Sequence, residues 1–464
     1  MKKILLILTL AVSIMLSSCF EDRDDVLQTA STQEIQNFIY RGLNFFYLYK
    51  ADTPELANDA FADDTAKNSF LNTFDSPESL FDYLKSNQDR FSVLVSDYNT
   101  LIDALNGTTF NNGMKFGLVF YPDNSGNVFG YVRYVLPNSD AEAKGVQRGM
   151  IFNTVNNQQL TEANFKELLE QNSYSIGLAT FDGTTVTPTG ESIDLQKTNY
   201  TENPVYITRT FTIEGVKVGY LMYNAFTRDF VNQLNEAFGQ FKAEGVTRLI
   251  VDLRYNGGGS VETATDMASM ITGQFNGQVF YTEHWNADRQ EQYAENGTFD
   301  NTITGGATTN SLNLNDVYFL TTGRTASASE LVINGLKPYI NVTQIGTNTT
   351  GKFQASFLLF DAPAPSFSLS QANPTHTYAM LPLVFKTANA SGNTDYVDGL
   401  FPDIELNEDY SNLGTLGDIT EPLLAAALND MFPGRFATPK KVIPLKIVNE
   451  NAFTHPTETI LLAN

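Results

Sequence analysis

A largely apolar run, Leu249-Ile250-Val251-Asp252-Leu253, leads through Arg254-Tyr255-Asn256 into three consecutive glycines, Gly257 to Gly259. Apolar residues without alternation mark a strand buried on both faces, the condition found inside parallel sheets. Glycines directly after such a strand let the backbone turn sharply and approach a bound group closely. Their N–H groups are suited to an anion or a developing oxyanion; taken alone, the glycines read as a tight turn. The spacing G-x-x-x-x-G-K-[ST] is absent, so this is not a phosphate-binding loop.

The flanking sequence repeats the strand–helix alternation. Val216 to Tyr223 reads as a strand, and Phe230, Leu234, Phe238 and Phe241 line one face of a helix. Val317 to Leu320 is another strand, with a helix opening near Ser327. Repeated βα units predict an α/β core over residues 204–434. Upstream the texture differs. Residues 34–108 are helical in pattern, with Ile35, Phe38, Ile39, Leu43 and Phe46 at helical spacing, and a helix start at Ser76-Pro77. Residues 109–203 show short strands with Gly and Asn turns, then a helix near 161–171. The 464 residues suffice for two to four domains. With 34 Phe and 21 Tyr there is ample material for packed cores. The net charge of −23 repels phosphate backbones, so nucleic acid is excluded as a partner.

A second segment carries chemistry: Gly323-Arg324-Thr325-Ala326-Ser327-Ala328-Ser329-Glu330. It places Ser327 at a helix N-terminus, where the positive dipole end favours an alkoxide or oxyanion. A lone serine there is an ordinary N-cap. Twenty-five residues on stands Gly351-Lys352. A serine hydroxyl needs a neighbouring base, and lysine serves as one only when burial keeps it neutral. The three histidines, His284, His376 and His455, sit in no motif that pairs them with Ser327. Glu330 and Asp252 are candidates for support, or for structural caps and ion pairs.

Taken together, Asp-Leu-Arg, Asn-Gly-Gly-Gly, Ser-Ala-Ser-Glu, Gly-Lys and the later Gly399 with Pro402-Asp403-Ile404 resemble the C-terminal processing peptidases, or tail-specific proteases. The resemblance implies a multi-domain α/β protein with a helical N-terminal domain, a PDZ-like β-rich domain and a crotonase-like catalytic core. It implies a serine endopeptidase with Ser327 as nucleophile, Lys352 as base, and an oxyanion hole from the N–H groups of Ala328 and a glycine of the triplet, Gly258. No metal or other cofactor is implied. Where some members carry Asp eleven residues after the serine, this chain has Pro338; where some carry Gln four after the lysine, it has Ser356, with Gln354 nearby.

Residues 139–151 are similar to the PDZ domains of bacterial proteases through Ala141, Gly145, Val146 and Gly149. Lys144 and Met150 depart from that pattern, and Ile151 falls one place early. The similarity implies capture of a peptide by strand addition at Phe116-Gly117-Leu118. The expected partner is a protein or peptide with an exposed C-terminus or unfolded segment.

Lys2-Lys3, the apolar run Ile4 to Leu16, and Leu16-Ser17-Ser18-Cys19 read as a signal peptide over residues 1–19. Its ending resembles the lipobox of bacterial lipoproteins, which implies lipidation of Cys19 and a membrane anchor. The acidic stretch Phe20 to Asp25 resembles the surface-export signal of Bacteroidetes lipoproteins and opens a tether over 20–33. The expected location is the bacterial cell envelope, on the outer membrane, facing the periplasm or the surface. Residues 435–464 form a tail in which Val442 to Val448 has strand character. A catalytically inactive binding lipoprotein on the same fold, and a hydrolase of simple esters, are the competing readings.

Overall fold

The computed structural model describes residues 29–436, 442, 444–448 and 461–463. The signal peptide with Cys19, the acidic stretch after it and His455 lie outside them.

The apolar run 249–253 forms the strand Arg248–Asp252, of which all but Arg248 is buried. It lies inside a six-stranded sheet in the order Val205–Ile213, Val216–Tyr223, Arg248–Asp252, Asp316–Thr321, Asn341–Gly346, Ile404–Glu405. The first pair is antiparallel and the others are parallel. Val251 stands between Leu221 on one side and Phe319 on the other. Helices Val231–Glu244, Val261–Ile271 and Ala328–Leu336 supply buried faces to this core. Gly245, at φ +76°, ends the first of them with its N–H on carbonyls of the last turn, which a left-handed residue makes possible.

A second six-stranded sheet runs Gly259–Ser260, Leu461–Leu462, Gln354–Ser356, Leu383–Asn389, Val279–Trp285, Asn296–Thr298. It joins the end of the glycine triplet to the segment after Lys352, with the strand Leu461–Leu462 between them.

The N-terminal region is helical at Thr32–Phe46, Asp64–Leu71, Pro77–Leu84 and Tyr98–Leu105. Ser31 and Ser76 cap two of these helices through their side chains. The region has no core of its own. Phe38, Leu43 and Leu80 belong to the same buried cluster as Val251, Phe319 and Phe385. Strand Val93–Val95, within a stretch that reads as helical, pairs with Ala379–Leu381 of the α/β body. Helical periodicity identifies a buried face without identifying what covers it; here the cover is the α/β body.

Residues 114–196 build an antiparallel sheet in the order Met114–Phe120, Val128–Val135, Ile151–Val155, Ser173–Phe181, Val186–Gln196. The short helix Phe165–Glu170 packs on it. Met114–Phe120 is its outermost strand, and the outer side of that strand pairs with residues 446–448 of the tail. Arg148 ties this domain to the α/β body. Its guanidinium donates to Tyr255 Oη at 2.8 Å and to the carbonyls of Leu413 and Gly414. No helix of the described residues is long and apolar enough to cross a membrane.

Candidate active site

Ser327 sits between strand Asp316–Thr321 and helix Ala328–Leu336, with φ +66° and ψ −114°. That conformation is strained for a residue with a Cβ, by about 1–3 kcal/mol. Neighbouring hydrogen bonds hold it. Ala326 N–H and Ser329 Oγ both donate to the carbonyl of Asn256, at 3.1 Å each, tying the serine turn to the glycine loop. Ser327 N–H donates to Glu330 Oε2 at 2.7 Å.

Lys352 precedes strand Gln354–Ser356 in an irregular loop. Gly351, at φ +84°, makes that loop possible, since a Cβ there would lie 2.3 Å from the Val397 carbonyl. Gly399 faces the Thr349 carbonyl in the same way, which explains the second glycine of the motif. Lys352 N–H donates to Glu330 Oε2 at 2.9 Å, and Gly351 N–H to Glu330 Oε1 at 2.7 Å. Thr349 Oγ1 donates to the same carboxylate. Glu330 thus accepts from both segments that carry the candidate pair. Every partner is a donor, as an ionised carboxylate requires, and charge-assisted bonds of this kind contribute about 1.5–3 kcal/mol each. Burial nonetheless pushes the Glu330 carboxyl above its ordinary value. The spacing Ser-x-x-Glu is the sequence signal for such a role.

Ser327 is 0% and Lys352 1% exposed. The Lys352 ammonium lies over the Phe91 ring, 5.2 Å from its centroid. Burial brings its pKa down to about 7, opposed by the charges of Asp89 and Glu330. Asp89 and Phe91 belong to the N-terminal region, and no local pattern marks them. Among the described residues Ser327 Oγ has no hydrogen-bond partner, so the serine–lysine hydrogen bond is not formed in this arrangement.

The glycine triplet is placed beside the serine, but Gly258 differs from expectation. Its N–H donates to Asn256 Oδ1 at 2.9 Å, so the donor assigned to an oxyanion is held by a side chain two residues back. The φ values of Gly258 and Gly259, +116° and +137°, are open only to glycine. A Cβ on Gly259 would lie 2.3 Å from the Phe226 carbonyl. Ala328 opens its helix, where N–H groups lack partners inside the helix.

Asp252 turns away from this chemistry. It pairs with the buried Arg254 and accepts the Tyr220 hydroxyl at 2.7 Å. Arg254 also forms a bidentate pair with Glu421, at 2.6 and 2.9 Å. Gln354 donates to Tyr49 Oη. His376 pairs with Asp361 at 3.0 Å, and His284 Nε2 lies 3.3 Å from Thr282 Oγ1. Phe116, Gly117 and Leu118 lie in the edge strand Met114–Phe120, with Leu118 buried. Tyr131 covers Gly117 so closely that a Cβ would lie 2.5 Å from its ring, which accounts for the glycine. A cavity of about 1110 Å³ runs between this domain and the α/β body, lined by Phe116, Leu118, Gly258, Ser260 and Arg324 among others.

Residues 217–360 match peptidase family S41, and residues 34–93 match the peptidase S41 N-terminal domain. A carboxyl-terminal-processing protease of Picosynechococcus sp. is 25% identical over 193 residues, 41% of this chain and 43% of the relative. One of Synechocystis sp. is 28% identical over 165 residues, 35% of each chain. The match therefore spans less than half the length of either curated relative. Among solved structures, an S41-assigned protein of Bacteroides fragilis NCTC 9343 superposes with TM-score 0.67 and 29% identity, covering 85% of this chain and 96% of that one. The photosystem II D1 C-terminal processing protease shares the fold, with TM-score 0.50 and 19% identity over 85% and 98% of the two chains.

Proposed function

We propose that this chain, which carries the domains of peptidase family S41 and is homologous to carboxyl-terminal-processing proteases, is a serine endopeptidase working through Ser327 and Lys352. The observation that carries the reading is a serine and a lysine, both buried, whose backbones hang from one carboxylate while burial brings the lysine to about 7. A neutral Lys352 takes the proton from Ser327 Oγ as the oxygen attacks the scissile carbonyl. The tetrahedral oxyanion is met by the N–H of Ala328 and one from the glycine triplet. Lys352 then gives its proton to the leaving amine, and water hydrolyses the acyl-enzyme.

In this reading residues 114–196 are a PDZ-like domain that takes a chain end or loose segment, and the α/β body is a crotonase-like core. The substrate is a protein with an exposed C-terminus or unfolded stretch. The N-terminal pattern ending at Cys19 makes the protein a lipid-anchored member of the cell envelope. The unpaired Ser327 Oγ favours one competing reading, an inactive binding protein.

The test is cleavage of casein by the form lacking residues 1–19, alongside Ser327→Ala and Lys352→Ala. Loss in both variants, with unchanged melting, supports the pair. Cleavage that survives Ser327→Ala removes the proposal, and a parent that leaves casein intact favours the binding protein.

A further inference from the structure

Leu461 is buried in the catalytic body, and Leu462 and Ala463 are half-buried beside it. Leu461 pairs with Gly259 and Leu462 with Ser260, in parallel. On the other side Leu462 pairs with Ser356, and Ala463 N–H donates to the Ser356 carbonyl at 3.1 Å. The short strand therefore fills the space between two others. One, Gly259–Ser260, continues the glycine triplet; the other, Gln354–Ser356, begins two residues after Lys352. Without it, two facing strand edges stand about two strand spacings apart, roughly 9–10 Å. That slot admits one extended peptide and offers N–H and C=O groups on both walls. Leu461 is fully buried in the main core, and Leu462 packs with Leu101 and Leu381.

A second piece of the same tail does the equivalent on the β-rich domain. Phe120 N–H donates to the Lys446 carbonyl at 2.9 Å, and Val448 N–H to the Leu118 carbonyl at 3.0 Å. Ile447 bridges Val119 in antiparallel sense. This is strand addition to the outer edge of Met114–Phe120. Val448 is buried in one cluster with Leu118, Phe165, Leu168 and Leu169, between edge strand and helix. Pro444, Val448 and Leu462 also line the cavity joining the two places.

We infer that the slot between Gly259–Ser260 and Gln354–Ser356 is a docking site for an extended apolar peptide, and that this chain's own residues 461–463, with 446–448 on the β-rich edge, occupy both peptide-binding edges as an intramolecular competitor of substrate. The inference rests on the peptidase reading for the word substrate, but occupancy of the slot stands on the pairing alone. The preference it assigns is for apolar side chains at the positions held by Leu461 and Leu462.

The test uses the full chain and begins with hydrogen exchange on the unmodified protein. Amides of 446–448 and 461–463 exchange at least a hundredfold more slowly than in an unstructured peptide; exchange at the unstructured rate overturns the inference. In a Ser327→Ala background, a fluorescein-labelled synthetic peptide of residues 457–464 is titrated against the parent and Leu461→Asp. Binding at least tenfold tighter to Leu461→Asp supports the competitor, and equal binding overturns it. Val448→Asp, on the tail side chain buried against Leu118 and Leu169, is the second variant should Leu461→Asp lower the melting temperature steeply; it releases the β-rich edge for the same peptide extended to residue 444. With Ser327 intact, Leu461→Asp cleaves casein at least fivefold faster than the parent. If neither cleaves casein, the peptidase reading falls, and the titration still decides whether the tail holds the slot.

Discussion

Ser327 and Lys352 donate their backbone N–H groups to the same carboxylate oxygen, Oε2 of Glu330, at 2.7 and 2.9 Å. One atom therefore sets the separation of two residues that lie on different loops. Its other oxygen takes Gly351 N–H and the Thr349 hydroxyl. In Glu330→Gln the amide NH2 group must face N–H donors on one side or the other, and the negative charge is lost. We expect kcat to fall at least a hundredfold with KM little changed. The acid limb of the pH profile moves to lower pH, because the Glu330 charge favours the ammonium form of Lys352. Glu330→Asp restores the charge and part of the rate. A role confined to folding would move the melting temperature and leave the pH profile in place.

The lysine fixes the pH dependence. Its folded-state pKa, about 7, lies below the ordinary lysine value of roughly 10.4, so the neutral base predominates above pH 7. Below that point kcat/KM should fall about tenfold per pH unit, and steady-state cleavage from pH 5 to 9 measures it. Stability follows the same sign. Between pH 7 and about 10 the unfolded chain carries the extra proton, so this group's contribution rises with pH across that window. Below pH 7 the buried amine charges and opposes folding. Urea midpoints of the parent against Lys352→Met, at pH 6 and 9, isolate the term: the gain from Lys352→Met is larger at pH 6.

Asp89 reaches the same lysine from the N-terminal region. Its charge also favours the ammonium form, so Asp89→Asn shifts the acid limb below 7. An unchanged limb would mean that the N-terminal region only supports the site mechanically.

Arg254 is fully buried between Asp252 and Glu421. Arg254→Ala leaves the buried Asp252 without its cation and Glu421 with only Arg148 at 3.8 Å, and should cost about 3–5 kcal/mol, read from urea unfolding. Arg254→Met fills the space but leaves the same charges, so it should cost nearly as much.

Gly351→Ala adds a methyl 2.3 Å from the Val397 carbonyl at a φ of +84°. The loop must move, and Lys352 moves with it. A loss of about 1–3 kcal/mol should accompany a larger proportional loss of cleavage.

The parts that were legible in the sequence are those whose signal is local. The run 249–253 and the segment from Ala328 announce strand and helix because their apolar residues are contiguous or periodic, and the structure has them at Arg248–Asp252 and Ala328–Leu336. Glu330 was visible as a candidate because it stands three residues from Ser327; its reach to Lys352 was not, since that bond crosses 22 residues. Asp89 and Phe91 could not be found at all, because contact with Lys352 spans more than 250 residues and leaves no periodicity. The engagement of Gly258 by Asn256 was hidden for a different reason: a glycine run reveals freedom of backbone, and the partner of each N–H depends on the turn actually adopted. The tail strand Leu461–Leu462 is too short to carry an alternating pattern.

The merged core has a consequence for the order of events in the life of the chain. One cluster holds Phe38, Leu43 and Leu80 together with Phe385 and Leu461. Until Phe385 and Leu461 exist, the apolar face of the first helices lacks part of its cover. Contacts this distant along the chain make folding slow. They also make it late: a fragment through residue 352 holds both candidate catalytic side chains but only part of the cluster that packs around them. The candidate site and the far end of the chain are thereby tied to one cooperative core, by topology alone.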